Sequence, residues 1–355
     1  MFGERLLRAR SAAGLSMKVL ADQIGLSANM IKKYEHGESM PASDTLLKLA
    51  KALNVRVEYF FRPVKVSLGE VEYRKKASAS KKQLDRIKGD VLSQVERWLD
   101  LSNQWPTFPI SDFSLPDCVP ERINHIDDME GLADNLREEW QLGFDHITDL
   151  IDLLESHGIL VVVSDAMDDG SVDGLQAQVD GKQVVVVSGH ASGDRQRFTL
   201  AHELAHLLIH ERLAEDIDEE KACHRFASAF LLPASALRQH LGDERHNIEP
   251  QELYFLKHEF GISMGACAYR AKQLRIISEN LYQRLVISFS KKGWRKLEPG
   301  DAYPNEKTTL FYQLVFRALA EEIVSDSKAA ELLGLSLLQL RQARKLELLD
   351  AAFNQ

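Results

Sequence analysis

The chain has 355 residues, 45% hydrophobic and 27% charged, with only ten prolines and twenty glycines. That composition excludes a collagen-like or low-complexity chain, and the length allows two or three domains at about 100–200 residues each. The net charge of −9 divides into +8 over residues 1–98 and −17 over the rest, so only the head is expected to meet polyanions.

Taken in chain order, residues 3–62 read as closely spaced short helices. The first runs from Gly3 to Ala13. The second follows Ser16, a good N-cap, and ends at Gly25. The third is capped by Ser27 and ends at Gly37, and the fourth is capped by Ser43. Leu20, Ala21, Ile24, Ile31, Leu46, Leu49 and Leu53 recur at helical spacing and form the expected core. A short element with Val57, Tyr59, Phe60 and Phe61 precedes Pro63. Residues 64–98 begin as a basic, polar linker and turn into an amphipathic helix. Pro106, Pro109, Pro116 and Pro120 mark an extended stretch over 103–120. Residues 129–157 read as helix in two pieces, and Ile159–Val163 as a buried strand. Leu175–Val179 and Gln183–Val187 flank Asp180-Gly181, a hairpin signal. Helices are expected over 194–210 and 219–231, the second stopped by Pro233. Residues 249–285 and 306–346 read as mostly helical, with a short strand possible at 285–289. The expected fold class is mainly α with a small β-sheet. The expected divisions are 1–63, a linker and connecting helix over 64–120, a body over 121–240 and a helical region over 241–355.

No apolar run approaches the roughly 18 residues of a membrane helix. The opening MFGERLLRAR turns charged before an apolar signal segment can form. Cys118, Cys223 and Cys267 are too few and too scattered for a disulfide framework. Together these predict a cytoplasmic protein with no membrane partner.

The stretch MKVLADQIGLSANMIKKYEHG has helix-turn-helix spacing. Ala21 is the small residue where two helices approach, Gly25 makes the turn, and Leu20, Ile24, Ile31 and Tyr34 fill the space between them. The second helix would then present its N-terminal residues to the major groove of double-stranded DNA. Ser27, Ala28, Asn29, Lys32 and Lys33 are the candidate DNA-binding residues. Asn can read adenine, the lysines can meet guanine or phosphate, and a Ser-capped helix start offers free N–H groups to a phosphate. Short helical bundles with such turns also occur without DNA. Here the full five-helix arrangement, with YEHGESMP after the recognition helix, resembles the XRE (Cro/C1-type) repressor family over residues 3–62. That resemblance implies operator binding as a homodimer.

His202-Glu203-Leu204-Ala205-His206 is an H-E-x-x-H motif. On a helix, i and i+4 share a face, so both imidazoles can reach one metal. Glu203 sits one residue along, where it can serve as general base for a water without binding the metal. The preceding hairpin can offer an edge strand to an extended substrate. A catalytic zinc site needs a third ligand. His210 lies two turns, about 12 Å of rise, beyond His202 and reads as a polar helix end. Asp216 and Asp218 fall in a loop. Glu219 and Glu220 both open the next helix and can both face inward, and periodicity leaves them even. Cys223 reads as a small buried residue.

Residues 194–233, DRQRFTLAHELAHLLIHERL…EEKACHRFASAFLLP, resemble the ImmA/IrrE family of zinc metallopeptidases. The family pattern E-x-x-[AC]-[NH]-x-F-A-x-x-[LF]-L-x-P aligns Phe226-Ala227 and Pro233, which places its ligand glutamate on Glu220. The resemblance thus implies Zn²⁺ held by His202, His206 and Glu220, with Glu203 as base, in an α+β zincin-like domain. His224 stands where Asn is more usual and is either a support for the ligands or a rival to them. An XRE head followed by EYRKK and such a body is a known combination. It implies a regulator of a mobile-element, stress or toxin–antitoxin operon, with a protein substrate or a toxin or repressor as partner. The alternative is a regulator whose metal domain only senses or binds a partner. Near the end, SDSKAAELLGLSLLQLRQARK repeats part of the helix-turn-helix spacing, but its acidic surroundings favour a helical cap on the body.

Overall fold

The computed structural model describes residues 2–62, 72–74, 81–167 and 174–346. The basic linker expected over 64–80 lies mostly outside the described residues. The chain divides into two compact units that do not follow chain order. The first gathers Met1–Ser111, Leu160–Gly189 and Leu310–Gln355, and the second gathers Asp112–Ile159 and His190–Thr309.

The first unit begins with α1 (Phe2–Ala12), α2 (Met17–Ile24), α3 (Ala28–Glu35), α4 (Ser43–Ala52) and a 3₁₀ turn, Val57–Phe61. Its punctuation is local chemistry. Ser16 Oγ accepts the Val19 N–H and Ser27 Oγ that of Met30, at 3.1 and 3.3 Å. Gly25 ends α2 in the left-handed conformation that glycine adopts without steric cost. Ser43 departs from expectation. Ala42 holds the cap position of α4 without a side-chain bond, and Ser43 is already helical. Leu6, Leu20, Ile31, Leu49 and Phe60 are fully buried and close this small core.

α5 (Lys81–Ser102) packs along α1. Gly89 permits the approach, since a Cβ there would lie 2.7 Å from that of Ala12. Buried Arg5 and Arg8 both pair with Glu96 on α5, Arg8 at 2.6 Å. The opposite stripe of α5 (Ile87, Val91, Leu92, Val95, Trp98) joins a second core with a β-sheet and three C-terminal helices. The sheet holds β1 (Glu72–Arg74), β2 (Ile159–Ser164), β3 (Gly174–Val179) and β4 (Lys182–Ser188) in the order β1-β3-β4-β2. β3 and β4 form the expected hairpin. Asp180 and Gly181 both have positive φ, 51° and 75°, as a two-residue turn matched to strand twist requires. The other edge of β3 pairs antiparallel with β1, Tyr73 opposite Ala177, so residues of the chain itself occupy the edge that seemed open to a substrate.

The C-terminal helices are α14 (Leu310–Ala320), α15 (Asp326–Leu332) and α16 (Leu337–Arg344). Ser325 and Ser336 cap the last two, and Gly334 turns between them with φ 69°. Arg56 donates to the Leu335 carbonyl at 2.6 Å, Arg62 meets Glu331 at 3.0 Å, and Lys328 meets Asp100 at 3.4 Å. These helices therefore cap the head and α5.

The second unit contains α6 (Asp128–Glu139), α7 (Leu150–Ser156), α8 (Gly193–Ile209), α9 (Glu219–Leu231), α10 (Ala234–Leu241), α11 (Pro250–Phe260), α12 (Met264–Gln273) and α13 (Glu279–Lys291). The strand expected at 285–289 is not formed. Leu281, Leu285 and Phe289 are buried at i, i+4, i+8 on α13, so the helical period wins over the β-branched content. α8 is fixed at its start by close packing, because a Cβ on Gly193 would fall 2.0 Å from the Pro304 carbonyl oxygen. Arg197, fully buried one turn on, pairs with Glu306 and donates to the Ile147 carbonyl at 2.8 Å. Burial pushes the Glu306 carboxyl up to about 7, against the pull of Arg197. α9 lies between α6 and α8. Arg137 donates to the Phe230 carbonyl and Arg270 to that of Leu232, at 2.6 and 3.0 Å, which satisfies the C-terminal carbonyls of α9.

Candidate functional site

α8 buries Leu200, Ala201, Leu204, Ala205 and Leu208, which sets His202 and His206 one turn apart on its remaining stripe. α9 opens directly after Asp218, whose carboxylate accepts the Lys221 N–H at 3.1 Å. Glu219 and Glu220 thus fall in the first turn of α9, where the helix dipole favours negative charge. The loop between the helices is pinned from both sides of Ile123, whose N–H donates to the Arg212 carbonyl at 2.8 Å and whose carbonyl accepts from Ala214 at 3.0 Å.

Three donor groups converge. His202 Nε2 and His206 Nε2 are 3.2 Å apart, Glu220 Oε2 is 3.4 Å from the first, and Glu220 Oε1 is 3.6 Å from the second. Ligands about 2.1 Å from a tetrahedral zinc ion stand about 3.4 Å from one another. The spacing and the donor set, two imidazoles and a carboxylate, therefore fit zinc. Glu219 stands elsewhere. Its Oε1 lies 2.8 Å from His206 Nδ1, where it accepts the Nδ1–H and leaves the Nε2 lone pair for an ion. Glutamates that periodicity left even are thus separated by geometry.

Of the other candidates, His210 is exposed at the helix end, its Nδ1 4.0 Å from Glu219. Asp216 is exposed, Asp218 serves as the cap, and Cys223 is wholly buried. Glu203 is half-buried on α8 beside His202. His224 is exposed, yet it offers a ligand atom within 4.8 Å of those of His202 and Glu220. Its ring stacks on Phe198, centroids 5.6 Å apart, and lies 4.7 Å from that of His202. Phe198 was not singled out from the sequence, where it reads as one more apolar helix position.

In the head, Ser27 at the cap of α3 and Ala28, Asn29, Lys32 and Lys33 on it are all exposed, while Ile31 and Tyr34 turn inward. Ser27 spends its hydroxyl on the cap. A contiguous polar and basic face remains.

Residues 6–60 match the family model described as helix-turn-helix, and residues 154–272 that described as the IrrE N-terminal-like domain. The chain joins an XRE-type helix-turn-helix to an IrrE-type domain. Its head is 40% identical over 55 residues to the cryptic phage CTXphi transcriptional repressor RstR of Vibrio cholerae, covering 16% of this chain and 49% of that one. It is 37% identical over 62 residues to the prophage-derived regulator YonR of Bacillus subtilis, covering 18% and 57%. It is 37% identical over 65 residues to the regulator ImmR of the same organism, covering 18% and 51%. The chain thus spans about half the length of these curated relatives. Among the described residues, no helix is long and apolar enough to cross a membrane.

Proposed function

We propose that the chain is a DNA-binding transcriptional regulator whose IrrE-type domain is a zinc-dependent peptidase. The convergence of His202 Nε2, His206 Nε2 and the Glu220 carboxylate at 3.2–3.6 Å carries the reading of the body. The exposed face of Ser27, Ala28, Asn29, Lys32 and Lys33 supports the reading of the head. Zinc held by the three donors supplies Lewis acidity at a substrate carbonyl. Glu203, the residue after His202, would take a proton from the attacking water and return it to the leaving amine. Glu219 holds the His206 ring in the tautomer that presents Nε2. The head binds a double-stranded operator as a homodimer in the cytoplasm, and the body acts on a protein partner, a toxin or a second repressor. The phage and prophage relatives of the head favour a mobile-element operon.

The second reading keeps the zinc and drops the turnover, leaving a sensor or partner-binding module. The exposed imidazole of His224 beside the donor cluster favours it. The test is zinc content together with cleavage of the product of the neighbouring gene by wild type and Glu203→Gln. Zinc in both proteins with cleavage by wild type alone supports the peptidase. Zinc in both with the partner bound and left whole supports the sensor. Zinc in neither overturns both readings.

A further inference from the structure

α8 presents its metal-facing side chains as an i, i+4 pair, His202 and His206. α9 does the same with Glu220 and His224. Paired donors projected inward from facing helices are how helical proteins enclose metals. The first three donors stand at tetrahedral spacing, and the ligand atom of His224 lies within 4.8 Å of those of His202 and Glu220. The His224 ring is held by contact, with Phe198 stacked on it at an interplanar angle of 27° and His202 against it. Ser228 Oγ donates to the His224 carbonyl at 2.9 Å, which fixes the backbone beneath it.

We propose that His224 is the fourth ligand of the metal and closes the site at rest. The inference rests on the reading of this site as a zinc site, and it specifies the resting state of that site. With three imidazoles and a carboxylate, a tetrahedral ion has no position left for water, which separates a closed site from a catalytic one. His224 is also the ligand able to leave. His202 is buried and His206 and Glu220 are partly covered, whereas His224 is the exposed member of the four, held on the outer side by its ring contacts. A partner that captures the imidazole would then free the position hydrolysis needs. The domain is latent in this state and becomes a peptidase when His224 is drawn away.

The test uses the full chain loaded with cobalt(II), compared with His224→Asn and His224→Ala. X-ray absorption is expected to count three imidazoles in wild type and two in either variant. Azide is expected to leave the visible spectrum of wild type unchanged and to shift that of the variants, which have a position to offer. Zinc affinity, measured against a competing chelator, is expected to fall at least about tenfold in both variants. Because His224 is exposed, far-ultraviolet dichroism is expected to be unchanged. A wild type with two imidazoles, an azide response and an affinity that the variants share overturns the closed site and leaves the zinc site standing. A wild type that binds no cobalt overturns both.

Discussion

The third helix of the head and the paired helices of the proposed metal site divide the work of folding and function in opposite ways. On α3, Ile31 and Tyr34 hold the fold while Asn29, Lys32 and Lys33 face solvent. At the proposed metal site the candidate ligands are themselves part of the packing, since His202 is buried and His206 leans on Glu219. A surface site can therefore change partner with little risk to the fold, while a site built from packed ligands ties its stability to its ion.

The largest expected effect tests whether the head stands apart from what carries it. Glu96 neutralises two buried guanidinium groups. Glu96→Ala takes from both the carboxylate they share, leaving Arg8 with Glu4, and is expected to cost about 3–5 kcal/mol in denaturant unfolding. A cost below about 1 kcal/mol would mean that Arg5 and Arg8 are solvated in place.

Zinc at about a thousandfold excess over its dissociation constant is expected to stabilise the wild type by about 4 kcal/mol, through binding to the folded state alone. Glu220→Ala is expected to lose that stabilisation and the metal. Glu219→Ala is expected to keep the metal with an affinity about 10–100-fold lower, as for loss of a residue that orients a ligand. Reversal of the two phenotypes by metal analysis would exchange their roles.

Ser27→Ala removes the cap of α3 and is expected to cost about 1 kcal/mol in thermal unfolding. Among the proposed DNA-binding residues, it is the one where function and stability should fall together.

Smallest in stability is Lys33→Ala, expected within about 0.5 kcal/mol of wild type. Its effect belongs to binding, where operator affinity should weaken and the salt slope flatten by about one phosphate contact. A loss of stability without a change in slope would erase the contrast between the two regions.

What was legible in the sequence follows the range of the interaction responsible. Ser16, Ser27 and Asp180-Gly181 act within a few residues, and each stands where its chemistry predicts. Ser43 failed because Ala42 meets the same backbone geometry without a side-chain bond, so the helix starts one residue earlier. LVISF at 285–289 misled because β-branched residues look strand-like over five positions, while burial at i, i+4 decides over thirteen. Glu219 and Glu220 are adjacent on one helix, and only a second helix distinguishes them. The grouping of the head with β3, β4 and α14–α16 could not be read at all, because it depends on contacts between residues hundreds apart.

That interleaving bears on how the protein is made. The core of residues 2–60 is complete in itself and can close soon after it leaves the ribosome. The apolar stripe of α5 is not so placed, because its cover includes Phe311, Val315 and Leu340. At about 5–20 residues per second, the delay between α5 and α16 is on the order of ten to fifty seconds. During that interval a finished head hangs beside an unsealed helix, and Ile87, Val91 and Val95 are open to chaperones and to other nascent chains. A polypeptide interrupted before α14 would keep the core of the head while leaving the apolar stripe of α5 without its C-terminal cover.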